Sequence, residues 1–182
     1  WIVCAWFCAT CALAQEADRV YVSGELSLKP GGDTETQYFS VNIADASMDY
    51  VAYQLDIVLP EGLEIAYYEG ELDIYIDDPT IYPTYRKVPY HSLTPKVNKD
   101  HIRVICKDDG NRPFKAKSGE LFKVGVVASP YLKPGDVKVQ LRNIILSDIN
   151  SQGPEFDAVE PASVGTASTT SNLLEDAINL PE

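Results

Sequence analysis

An all-β fold, an antiparallel β-sandwich of jelly-roll type with about nine strands, is what this 182-residue sequence predicts. Three observations predict it. Apolar residues recur at every second position in segment after segment, the spacing that gathers them on one face of a strand. The segments are short and are separated by clusters of Pro, Gly, Asn and Asp, residues that stop and turn a chain. No long stretch carries the 3.6-residue period of an amphipathic helix.

The stretch from Tyr50 to Ile65 organises the rest. Val51, Tyr53, Leu55, Ile57 and Leu59 fall on one side of a period-2 pattern, and Ala52, Gln54, Asp56 and Val58 on the other, which is expected to be mostly wet. Pro60-Glu61-Gly62 ends that strand, because proline lacks a donor and glycine tolerates positive φ. In chain order, Arg19 to Leu28 reads as the first strand and Lys29 to Asp33 as a turn cluster. Thr36 to Ala44 follows as a strand with Phe39, Val41 and Ile43 on one face. After the central strand come a short continuation from Leu63 to Tyr67 and a strand marked by Leu72, Ile74 and Ile76. Ile102, Val104 and Cys106 mark the next, closed by Asp108-Asp109-Gly110-Asn111. Phe122, Val124, Val126 and Ala128 alternate in a long strand. Val137, Val139 and Leu141 alternate in another, and Ile144 and Leu146 continue it with changed parity, as a β-bulge near Asn143 requires. A last strand is expected between Phe156 and Val164.

The domain is bounded by two stretches of different composition. Residues 1–14, WIVCAWFCATCALA, are uncharged and apolar, too short to span a membrane comfortably, and end in an A-x-A-like site before Gln15. They read as the core of a secretory signal peptide clipped at its start. Cleavage there removes Cys4, Cys8 and Cys11, so the C-x-x-C of Cys8 and Cys11 is neither a redox motif nor half a zinc site. Cys106 remains as a small core residue. From Pro161 the chain is rich in small and hydroxyl residues, as linkers are. The expected organisation is a sandwich over 15–165, then a linker and the start of a truncated C-terminal segment over 166–182, with Asn172 capping a short helix over Leu173, Leu174 and Ile178.

Asp and Glu number 27 against 15 Lys and Arg, a formal net charge of −12 at pH 7. Such a surface repels phosphate backbones, which argues against nucleic acid as a partner. It serves solubility first and also attracts cations to acidic loops. Hydrophobic residues make up 45%, which fits a globular chain rather than a disordered one.

Two segments stand out as candidate sites. Residues 67–90 hold six tyrosines and three prolines. Phenol rings stack on the apolar faces of sugars, carboxylates accept hydrogen bonds from hydroxyls, and proline stiffens the segment. Tyr68, Tyr75, Tyr82, Tyr85, Asp77 and Asp78 are therefore the candidate ligand-binding residues, against the plainer reading of a loop covering the sandwich edge. Asp108, Asp109 and Asn111 are closely spaced oxygen donors, the type calcium prefers, but they lack EF-hand spacing and also read as a polar turn. No nucleophile elbow, H-E-x-x-H or P-loop is present, so no catalytic residue is named. A glycoside-active enzyme, which needs only two carboxylates, and a purely structural spacer remain alternatives.

Three stretches carry a family resemblance: VAYQLDIVLPEGLEI (51–65), RPFKAKSGELFKVGVVAS (112–129) and LKPGDVKVQLRNIILSD (132–148). They resemble the cohesin-like, carbohydrate-binding-type jelly rolls of secreted proteins of gut anaerobes. The likeness covers about residues 19–165, and its motifs are structural. It implies a nine-stranded sandwich and a role in protein docking or polysaccharide attachment. No set of contact residues carries over, and both tryptophans lie in the apolar leader. The expectation is a non-catalytic, extracytoplasmic binding module, monomeric within a larger protein, without a membrane span once the leader is removed. Its partner would be a carbohydrate or another cell-surface protein.

Overall fold

The computed structural model describes residues 17–30 and 35–168. The leader over 1–14, with Cys4, Cys8 and Cys11, and the helix over Leu173 to Ile178 lie outside the described residues. Sixteen strands follow in order: β1 (Arg19–Gly24), β2 (Leu26–Leu28), β3 (Gln37–Ala44), β4 (Ala52–Val58), β5 (Leu63–Ile65), β6 (Tyr67–Tyr68), β7 (Glu71–Leu72), β8 (Ile74–Tyr75), β9 (Thr84–Tyr85), β10 (Val88–Pro89), β11 (Ser92–Val97), β12 (Ile102–Lys107), β13 (Gly119–Ala128), β14 (Gly135–Ser147), β15 (Glu155–Ala158) and β16 (Ala162–Ala167). Those of four residues or more, β1, β3, β4 and β11 to β16, are nine.

They form two sheets. One runs β1-β3-β13-β5, with β8 also on β13; the other runs β11-β12-β4-β14-β16-β2, with β15 also on β14. Two small ribbons, β6–β7 and β9–β10, stand apart. The alternation read from the sequence decides what lies between the sheets. Tyr53, Leu55 and Ile57 of β4, Val104 and Cys106 of β12, and Leu141 and Leu146 of β14 face Phe39, Val41 and Ile43 of β3 and Phe122, Val124 and Val126 of β13, and all are buried. Each large apolar side chain so placed contributes roughly 1.5–3 kcal/mol relative to leaving it in water. Ladder hydrogen bonds satisfy the backbone between them.

One expected irregularity is found, and three features depart from the expected plan. The bulge near Asn143 is present: β14 pairs Arg142 with Asp56 but Ile145 with Gln54, and Asn143 has a φ of 47°. Asp56, however, is buried although it sits on the face expected to be wet. A strand not foreseen, β11, carries Pro95 and no apolar alternation. It sits at the sheet edge, where a missing donor costs no ladder bond.

The third departure concerns residues read as linker. Ala162–Ala167 is a strand, antiparallel to β14 and parallel to β2, and Val164 is fully buried. The sheet is thus not purely antiparallel, and ordered chain continues past residue 165. Small residues are required there because β2 approaches closely: a Cβ on Gly165 would lie 2.2 Å from the Leu26 carbonyl oxygen. Chain order explains the parallel pair, since β1 pairs with β3 in one sheet and β2 with β16 in the other, so the chain changes sheet after Gly24.

This contact gives a paired prediction. Gly165 has a φ of 151° and Gly70 one of 88°, but nothing lies within 4 Å of a Cβ at Gly70. Gly70→Ala is expected to cost about 1 kcal/mol from backbone strain alone. Gly165→Ala is expected to cost about 2–3 kcal/mol, since the added methyl overlaps backbone. Urea unfolding of both variants measures the difference; equal losses would remove the close approach of β2 and β16 as the reason for the glycine.

Candidate functional site

The inner faces close on one another except at a cleft of about 480 Å³ between β1 and the β14–β15 side, lined by Val20, Val22, Val139, Leu141 and Phe156, and the broad surfaces left are the outer faces of the two sheets. On β11, β12, β4 and β14 the outward side chains line up in rows across the strands. One row is Lys96, Arg103, Asp56 and Arg142; the next is Thr94, Ile105, Gln54 and Ile145; the third is Ser92, Lys107, Ala52 and Ser147. Ile105 is 39% exposed at the middle of this face. Lys96, Lys107 and Arg142 are exposed around it. The face therefore combines an apolar centre with basic flanks, on a chain whose net charge is −12. Lys96 and Arg103 are direct cross-strand neighbours, an arrangement of like charges that weakens a sheet rather than supporting it.

Asp56 holds this face together. Arg103 donates to it from Nε at 2.7 Å and from Nη2 at 2.8 Å, and Asn143 donates from Nδ2 at 2.7 Å. The His101 imidazole lies 3.7 Å away. Burial alone would raise the Asp56 carboxyl, but these hydrogen bonds and the charge of Arg103 outweigh it and leave the group below the ordinary carboxylate value. One carboxylate thus ties β4 to β12 and, through the bulge, to β14. The bulge matters here because its turned-out Asn143 supplies the third bond.

The tyrosine segment is divided by the fold. Tyr82 is in the core: its hydroxyl donates to the Leu121 carbonyl at 2.8 Å and lies 2.9 Å from the Tyr53 hydroxyl, and its ring packs edge-on against Phe114. No face of it is open to a ligand, which corrects its place among the candidates. Its apolar ring is buried because a partner exists for the hydroxyl. Tyr85 stands on the β9–β10 ribbon, 6.1 Å from the Tyr90 ring, with the Arg86 guanidinium over it. Asp77 ion-pairs with Lys123, and Asp78 accepts from the Thr80 amide at 2.8 Å. Tyr68 and Tyr75 do come together, and Tyr38 of β3 joins them around a cleft of about 440 Å³ that also includes Glu71 and Asp73.

The acidic turn after β12 is engaged within the chain. Asp108 is buried and accepts from the Arg112 amide at 2.8 Å and from Arg112 Nη1 at 3.1 Å. Asp109 faces Lys107 at 3.3 Å, and Asn111 takes a φ of 53° in the turn. Among the described residues no three His, Cys, Asp or Glu side chains gather where an ion could sit. The calcium candidates Asp108, Asp109 and Asn111 are thus a turn locked by an arginine. Cys106 is buried, and burial pushes its thiol up to about 12, the state of a core residue rather than a nucleophile.

No protein-family model and no curated protein matches this sequence. Solved structures share its fold, and they are cohesin modules. A cohesin module from a Clostridium perfringens family 33 glycoside hydrolase is 9% identical with a TM-score of 0.59, over 85% of this chain and 98% of that one. A non-cellulosomal cohesin from the archaeon Archaeoglobus fulgidus is 17% identical with a TM-score of 0.52, over 90% and 99%. The sixth cohesin of scaffoldin B from Acetivibrio cellulolyticus, solved in complex with a dockerin, is 8% identical with a TM-score of 0.57, over 85% and 100%. The expected cohesin-like jelly roll is the fold observed.

Sequence reasoning missed the outer face, although one signal was present. In Ile102 to Lys107, Ile105 breaks the alternation by placing an apolar residue at an outward position between Arg103 and Lys107. Tyr38 was missed because its neighbour Phe39 carries the core pattern of β3.

Buried ionisable groups set a pH dependence. The His91 ring lies between Tyr82 and Phe114, each 5.1 Å away, and burial holds it below the ordinary imidazole value of 6.5, against the opposing pull of Asp108. The fold prefers the neutral ring, so its contribution is complete above about pH 6.5 and shrinks as pH falls beneath it. Asp18, Asp56 and Asp108 are each depressed below 3.8. Their contribution is complete above that value and is lost as pH falls through their folded values. The urea midpoint should therefore drop in two stages, and His91→Phe should abolish the first and keep the second. A first stage that survives in His91→Phe would assign it to another group.

Proposed function

We propose that this chain is a non-catalytic docking module that holds a partner protein on the outer face of β11, β12, β4 and β14. The observation that carries the reading is Ile105, exposed at the centre of a sheet face whose flanks are Lys96, Arg103, Lys107 and Arg142. An apolar centre within a charged rim is the anatomy of a protein interface. Exposed apolar surface of this kind gains from being covered. Asp56 fixes Arg103 in place before a partner arrives, which lowers the ordering cost of association. The cohesin fold supports the same reading, because several of the similar modules were solved in complex with dockerins. A dockerin-like module with an acidic contact surface is the partner chemistry that complements this face. The rim charges govern mainly the rate of encounter and its salt dependence.

In this reading the module works outside the cytoplasm, at the cell surface, with residues 1–14 as its export leader and the segment after the last strand joining it to what it serves. Of the tyrosine segment, β8 with Tyr75 pairs with β13 of the other sheet and the β6–β7 and β9–β10 ribbons stand apart, so none of its strands belongs to the docking face.

The experiment is an array of dockerin modules probed with the full chain. It should capture at least one dockerin, with affinity that falls as salt rises. Ile105→Glu should weaken that capture at least tenfold, about 1.4 kcal/mol, without lowering the melting temperature. Lys96→Glu should act chiefly on the association rate. Failure to bind any dockerin, or full binding by Ile105→Glu, would overturn the proposal.

A further inference from the structure

The cleft around Tyr38, Tyr68 and Tyr75 lies on the side of the sandwich away from the docking face, and its parts come from separate elements. Tyr38 is on β3, Tyr75 on β8, and Tyr68 on the β6–β7 ribbon opposite Glu71. The ribbon turns through Glu69 and Gly70, both at positive φ of 50° and 88°, the two-residue turn that best matches the twist of a tight hairpin. Tyr68, 66% exposed, is thus held on a short stiff support.

The floor is built around a missing side chain. Gly125 of β13 is the cross-strand partner of Tyr38, and a Cβ there would lie 2.7 Å from Asp73 Oδ2. Without one, the Asp73 carboxylate rests over the strand and accepts the Tyr38 hydroxyl at 2.7 Å. Asp73 is nearly buried, and its bond to Tyr38 pushes that phenol up to about 12, so the hydroxyl keeps its proton. The Tyr38 and Tyr75 rings meet edge to face, 5.9 Å apart at 78°, and form a corner rather than a flat patch. Aromatic walls with Asp73 at the base and Glu71 on the exposed ribbon combine flat apolar surface with hydrogen-bond acceptors in a concave, preorganised site.

We propose that this cleft binds a neutral carbohydrate chain. Sugar rings present C–H faces that stack on tyrosine and hydroxyls that donate to carboxylates. The carboxylates of Glu71 and Asp73 repel uronic and sialic acids, which restricts the ligand to uncharged hexose or pentose residues. The cleft is independent of the docking face, so the module would join a partner protein on one sheet to a polysaccharide on the other.

Native affinity electrophoresis of the full chain tests this, with gels containing β-glucan, xyloglucan, arabinoxylan, galactomannan or starch, and polygalacturonate and hyaluronan as acidic counterparts. At least one neutral polysaccharide should retard the protein and the acidic ones should not. Tyr68→Ala and Tyr75→Ala should each reduce retardation at least tenfold, and Tyr68→Trp should retain it. Tyr85→Ala, outside the cleft, and Ile105→Glu, on the docking face, should leave it unchanged, with thermal melts confirming that each variant is folded. No retardation by any neutral polysaccharide, equal retardation by the acidic ones, or a Tyr68→Ala variant that binds as the parent does would overturn the assignment.

Discussion

A carboxylate that belongs by parity to the wet side of a sheet, yet is withdrawn from water, is the constraint on which the outer face depends. Asp56 accepts two bonds from Arg103 and one from Asn143, so β4, β12 and β14 are joined on the side away from the core. A buried ion pair is weak evidence for stability, because desolvation offsets much of the attraction. Its effect is better understood as order: a bidentate guanidinium lies flat where a free one would project. The result is a sheet face with its central charge neutralised, an exposed isoleucine beside it, and the exposed basic side chains of Lys96, Lys107 and Arg142 toward its margins.

The core explains why this face is available. Inward residues of both sheets fill the interior, and the chain's crossing after Gly24 lets β2 close the far edge against β16. The edge formed by β11 is blunted by Pro95 and Lys96, devices that discourage pairing with another strand. Under the proposed docking reading, a partner would therefore meet the sheet face rather than extend this edge. On the opposite sheet a glycine in β13 admits Asp73 and creates the one corner where three tyrosines converge among the described residues. Two unlike surfaces thus arise from one rule, the alternation of the strands, broken at two positions.

Much of the fold was legible for the same reason. Alternation fixes which side chains face inward, and it located β3, β4, β12, β13 and β14, including the parity change at Asn143. It failed where no apolar period was needed. β11 is an edge strand with one proline and little burial, and β16 is built from small residues because a neighbouring backbone passes within van der Waals range of Gly165. The candidate sites were less legible because composition does not say which way a ring points. Tyr82 has the same side chain as Tyr68, but the first is in the core against Tyr53 and Leu121 and the second is on a hairpin. Asp108 carries the donors of a cation loop, but Arg112, four residues on, already occupies both oxygens.

Hydrogen exchange of the full chain, free and bound to a dockerin selected from the array, tests the docking face most directly. Protection confined to β11, β12, β4 and β14, centred on Ile105 and leaving β6 to β8 unchanged, is the result this account predicts. Protection on the β1-β3-β13 sheet, with the face around Ile105 exchanging as it does in the free protein, would contradict it.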